Sequence, residues 1–185
     1  MKTERDDETV LDELMKQGAR AAKSLMEVNG GFNQTILIDG VEGKVAYSPP
    51  PHLVNYSCDN FSSVARDMAV AYGATAIVIV AEAIMFEECN NCRNVESQKE
   101  ILSILGQTHD KCRQVVLPII RSEDGKLDGF GEAIEVPASA VSGRYANLIE
   151  TEVLDEETRR VAKESLREEG HHIKKDRPQI LSLFR

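Results

Sequence analysis

Two pairs of soft ligands, Cys89 with Cys92 and His109 with Cys112, carry the clearest chemistry that this chain's residue types and spacing offer. Sulfur and imidazole pairs at that separation can close a tetrahedral zinc site. With four protein ligands no position stays open for water, so such a zinc would be structural rather than catalytic. Otherwise no cofactor is expected. One geometric argument opposes closure. If residues 76–86 and 100–105 form a hairpin, the first pair sits at its loop end and the second beyond the far end, about 20 Å away along the strand. The alternatives are a redox pair at Cys89-Asn90-Asn91-Cys92, which follows a strand without opening a recognisable helix, or plain thiols in polar loops, Cys58 among them.

Glu82 is the second candidate, because it interrupts the apolar run Ala74 to Phe86. A carboxylate buried there needs a partner or a raised pKa, and either condition marks a site. In the hairpin register Glu100 falls beside it. Two carboxylates on one face serve as general acid and base, or hold a hard metal ion. Arg113 or Arg121 from the next strand would instead neutralise them and make the group structural, and the plainest alternative is a Glu82 that faces solvent at the strand's end. His171 and His172, beside Lys174 and Lys175, read as a solvated tail, and His52 as a surface residue behind three prolines. No Gly-rich loop precedes a helix start, so nucleotide phosphates have no cradle.

These residues need elements to position them. Leu11, Leu14, Met15, Ala22, Leu25 and Met26 recur at helical spacing before Asn29-Gly30-Gly31, predicting an amphipathic helix over about 5–28. Residues 35–38 and 44–47 predict a hairpin turning at Asp39-Gly40. Phe61, Val64, Ala65, Met68 and Tyr72 predict a second helix closed by Gly73. The continuous β-branched run 76–81 predicts a central strand covered on both faces. Segments 100–105, 113–121 and 130–136 predict a three-strand meander, in which Pro118 demands a bulge or an edge. Residues 156–169 predict a charged helix laced with Glu, Arg and Lys pairs.

The expected fold class is therefore α+β. A mostly antiparallel sheet of about six strands, made from the hairpin, the central strand and the meander, carries an N-terminal helix, a packed middle helix and a charged C-terminal helix. Residues 1–150 read as one domain and 151–185 as a charged helix and tail. The element order resembles the roadblock and profilin-like layouts of dimerising adaptor proteins. Across about 60–148, Ala81-Glu82-Ala83, Gln98-Lys99-Glu100, Arg121 to Gly131 and Gly143-Arg144-Tyr145-Ala146 also resemble an uncharacterised prokaryotic and phage family. This chain carries Ile84 and Gln98 where that family would have an aromatic and an arginine. The resemblance implies no activity.

Charge narrows the partners. Residues 1–30 hold seven acids and five bases, and 151–185 eight of each, which leaves about −7 of the net −9 on the middle of the chain. Such a surface repels a phosphate backbone, so nucleic acid is not an expected partner. The mixed charges at the start lack an apolar signal core, and no apolar run is long enough to span a bilayer, so a cytoplasmic protein with free thiols is expected. The favoured function is a non-enzymatic accessory or interaction protein with a protein partner. A homodimer pairing Leu11, Leu14, Met15 and Leu25 across a two-fold axis is the leading form of it. The alternative is a metal-binding protein or small enzyme centred on the cysteines or on Glu82 and Glu100.

Overall fold

The computed structural model describes residues 7–50, 58–87, 97–137, 147–149 and 154–173. The chain runs through α1 (Asp7–Asn29), β1 (Thr35–Gly40), β2 (Gly43–Tyr47), α2 (Cys58–Tyr72), β3 (Ala74–Glu87), β4 (Ser97–Thr108), β5 (Cys112–Arg121), β6 (Leu127–Phe130), β7 (Ile134–Val136) and α3 (Glu156–Glu168). Among the described residues seven strands make one sheet in the order β2-β1-β3-β4-β5-β6, with β7 also on β5, and every pairing there is antiparallel. The fold is α+β, as the sequence predicts. The expected strand over 130–136 is in fact two short ones.

Pro118 explains that split. Its carbonyl accepts from the Gly131 amide at 2.8 Å, and a strand residue's N and O point to the same side. The missing N–H therefore falls between β7, which pairs with Gln114–Val116, and β6, which pairs with Ile119–Arg121. A proline is tolerated where the ladder is already interrupted.

Each sheet face is buried by different helices. On one, Leu11, Leu14, Met15 and Met26 of α1 meet Val78 and Val80 of β3, Leu102 and Ile104 of β4, and Leu117 and Ile119 of β5. On the other, Phe61, Val64, Met68 and Tyr72 of α2 pack on Ile36, Ile38, Ile77 and Ile79, and Leu166 of α3 joins them. α3 thus packs into the main core rather than standing off as a polar tail. α1 lies close to the sheet because Gly106 offers no side chain: a Cβ there would stand 2.7 Å from Met15 Sδ and 2.9 Å from Leu11 Cδ1.

Two expectations are corrected here. Leu11, Leu14 and Met15 are 1%, 3% and 6% exposed and pack on this chain's own sheet, so of the four residues expected at a dimer contact only the half-buried Leu25 is left. The β1–β2 hairpin turns at Val41-Glu42, between Gly40 and Gly43, and not at Asp39-Gly40. Gly40 serves a close approach instead. A Cβ on it would lie 2.3 Å from the Tyr72 carbonyl oxygen at the end of α2.

Candidate functional site

The site with the most convergent polar groups lies where α1 ends. A left-handed Gly30 closes the helix, its amide bonded to the Met26 carbonyl at 2.7 Å, and residues 30–34 then lead into β1. Two bonds pin this link. The Phe32 amide donates to Glu82 Oε1, and the Thr35 hydroxyl donates to the Asn33 carbonyl at 3.0 Å. Thr35 Oγ1 also lies 2.6 Å from Ser48 Oγ, past the end of β2.

Glu82 reaches this link because β3 continues past the point where α1 stops covering it. Val78, Val80 and Glu82 alternate onto the same face, the first two under the helix and the third beyond it. The register pairs Glu82 with Leu102 and Ile84 with Glu100, placing both carboxylates on one face as the hairpin reading expects. Arg121 of β5 joins them. Its Nε donates to Glu100 Oε2 at 2.5 Å, Nη2 stands 3.7 Å from Glu82 Oε2, and Nη1 donates to the Gly30 carbonyl at 3.1 Å. Two carboxylates against one guanidinium leave the group at about −1. Glu82 is therefore neither a bare buried carboxylate nor a surface one.

Arg113 does not take part. It pairs with Asp12 of α1 and, at 2.8 Å, with Glu135 of β7, near the opposite end of α1.

Beside the group a cleft of about 550 Å³ opens, lined by Leu25, Asn29, Phe32, Asn33, Ser48 and Glu82. Its size lies in the range of small-molecule sites. Among the described residues Glu82 is the one charged group in this lining, and its Oε2 accepts no hydrogen bond from them.

The zinc ligands divide differently. His109 is exposed in the short connection between β4 and β5, and Cys112 opens β5, half-buried against the α2 side of the core, where burial pushes its thiol up. Cys89 and Cys92 lie outside the described residues, as do Cys58's side chain and His52. The strand ends that lead towards the two cysteines, Glu87 and Ser97, are eleven ladder steps from Ala76 and Thr108. That is about 36 Å. Among the described residues no three His, Cys, Asp or Glu side chains come together as a metal site.

His171 is the residue that the sequence reading places wrongly. It is 3% exposed, not solvated, and its Nδ1 lies 2.8 Å from the Tyr47 hydroxyl. The rings meet edge to face, with centroids 5.8 Å apart. Burial pushes Tyr47 up to about 12 and holds His171 below the ordinary imidazole value. Leu166 and the bend after α3, where the His171 amide bonds the Leu166 carbonyl at 2.8 Å, carry the ring inward. His172 stays exposed. A nook of about 150 Å³ adjoins the pair, but Lys163 in its lining is already paired with Glu42 and stands over the Tyr72 ring.

Comparison with protein-family models, with curated proteins and with solved structures finds no match, so the function rests on this chain's own geometry. No described helix is long and apolar enough to cross a membrane.

Proposed function

We propose that this chain is a non-enzymatic accessory or interaction protein whose binding site is the cleft at the end of α1. The observation that carries this reading is the way Glu82 is held. Its Oε1 accepts the Phe32 amide and its charge faces Arg121, which also binds Glu100. The carboxylate is thereby a fixed charge beside two amides, a hydroxyl and two apolar side chains, a set suited to recognition. General acid–base chemistry would instead want a proton carrier free to exchange beside its partner.

Amide chemical shifts of ¹⁵N-labelled protein test the reading, with a mixed fragment set as probe. Saturable shifts should cluster at Asn29, Gly31, Phe32, Asn33 and Ser48. Fragments that map elsewhere would remove the cleft from consideration, and a turnover activity abolished by Glu82→Gln with binding intact would favour an enzyme.

Self-association is a second reading, moved away from α1. Ile120 and Ile134 remain 46% and 48% exposed on β5 and β7, both on the sheet face opposite α1 and flanking Pro118. Sedimentation at micromolar concentration decides it: a dimer converted to monomer by Ile120→Lys supports this face, and a monomer at every concentration rejects it.

A further inference from the structure

The chemistry of the cleft goes further than its existence. Three observations favour a positive ligand. The Glu82–Arg121–Glu100 group carries an excess negative charge. The C-terminus of α1, a helix of 23 residues with no basic residue in its last turn, directs its negative end at the same place. Third, Glu82 Oε2 stands 3.7 Å from Arg121, outside hydrogen-bonding distance, so it retains acceptor capacity.

The kind of cation follows from the same geometry. A guanidinium binds best with both forks on both oxygens of one carboxylate, and Glu82 Oε1 is already engaged by the Phe32 amide. Calcium or magnesium takes six or more oxygens, waters among them, and is held chiefly by carboxylates, where the described lining offers one free carboxylate oxygen beside two side-chain amides and a hydroxyl that Thr35 shares. An ammonium needs only about three acceptors around a compact charge. Glu82 Oε2 with the Asn29 and Asn33 amide oxygens can supply them, while Leu25 and Phe32 give a methylene stem an apolar wall.

We propose that the cleft binds a primary ammonium on a short aliphatic stem, with Glu82 as its counter-ion. The proposal rests on the cleft being the binding site. Two sources share this chemistry, the lysine side chain of a partner's segment and a free alkyl diamine.

The test is a titration of the ¹⁵N-labelled full chain with Nα-acetyl-lysine methylamide, its Nε-acetylated form, the arginine counterpart and butane-1,4-diamine. The lysine compound should shift the Gly31, Phe32 and Asn33 amides saturably, in about the millimolar range expected of so small a ligand. The Nε-acetylated form and the arginine compound should bind at least about tenfold more weakly. Glu82→Gln should weaken lysine binding about tenfold, and Asn33→Asp, at an exposed position, should tighten it several-fold. Tighter binding of a lysine-containing peptide than of the diamine assigns the site to a protein partner, and the reverse to a free amine. Equal binding of the Nε-acetylated form, or no tightening by Asn33→Asp, overturns the proposal. Shifts from neutral fragments alone overturn the ammonium and leave the cleft standing, whereas no saturable shift from any probe removes both.

Discussion

Tyr47→Phe is the sharpest probe of how the C-terminal segment is held. The substitution keeps the ring, and with it the edge-to-face contact at 5.8 Å, and deletes only the hydroxyl that lies 2.8 Å from His171 Nδ1. Both residues are under a tenth exposed. A typical intramolecular hydrogen bond contributes about 0.5–1.5 kcal/mol net, but here one buried nitrogen is left without its partner, and the expected loss is about 1–3 kcal/mol. For a domain of this size that lowers Tm by roughly 2–12 °C. Urea unfolding at pH 8, followed by circular dichroism, measures it. A loss below about 0.5 kcal/mol would refute the argument, since ordinary surface changes fall within that range.

The same pair fixes a pH dependence. Burial holds His171 below the usual imidazole value, opposed by the charges of Glu169 and Asp67 and reinforced by His172. The unfolded chain therefore takes up this proton first. Stability is complete above the unfolded value of about 6.5 and is lost as pH falls through it towards the folded value, with a limiting slope of about 1.4 kcal/mol per pH unit. Asp67, raised chiefly by its own burial and then by Glu169, acts in the opposite direction in its own lower window. The discriminating comparison is therefore with His171→Leu, which lacks the titrating ring and keeps Asp67. Its stability should be lower at pH 8 but fall less than the native chain's between pH 7 and 5. Parallel curves would show that His171 does not titrate as argued. On the alkaline side Tyr47, pushed up to about 12 from 10.0, keeps its proton longer in the folded chain, so its contribution is present below pH 10 and declines as pH rises towards 12.

Two glycines and one arginine give further outcomes. Gly40→Ala places a Cβ 2.3 Å from the Tyr72 carbonyl, a backbone atom with little freedom to retreat, and should cost about 3 kcal/mol in urea unfolding. Gly106→Ala meets side-chain atoms of Met15 and Leu11 rather than backbone, so about 1–2 kcal/mol is expected, with partial recovery when Met15 is shortened to Val. Arg121→Gln leaves Glu82 and Glu100 unneutralised at a partly exposed site; about 1 kcal/mol should be lost at low salt and less in 1 M salt, and a loss independent of salt would contradict an electrostatic role.

Much of this architecture is legible in the sequence, for local reasons. The stripe of Leu11, Leu14, Met15 and Met26 marks a helix, the β-branched run at 76–81 an interior strand, and Gly73 the end of α2, because period and turn chemistry act over a few residues. Even the pairing of Glu82, Glu100 and Arg121 follows from the antiparallel register once the hairpin is assumed. An apolar stripe, however, does not name what covers it. The stripe on α1 suits a second copy or the chain's own sheet equally well until Gly106 is known to lie beneath Met15.

The residues misread or missed share one property: their partners come from far along the chain. His171 sits in a run of histidines and lysines that reads as solvated, and it is buried because α3 packs on α2 and brings the ring to a tyrosine 124 positions earlier. Gly40 reads as a turn residue, and the reason for it is the carbonyl of Tyr72 at the end of another element. The acceptor that fixes the α1–β1 link, Glu82, lies 50 positions beyond the amide it binds. A short link such as 30–34, with two glycines, an asparagine and a glutamine, reads as a plain connection, and no local signal shows that a carboxylate from the middle of the sheet will meet it. That meeting makes the cleft, which depends on how far β3 extends past α1. A cleft can thus follow from two ordinary features, a helix that ends early and a strand that continues, with Glu82 where they part.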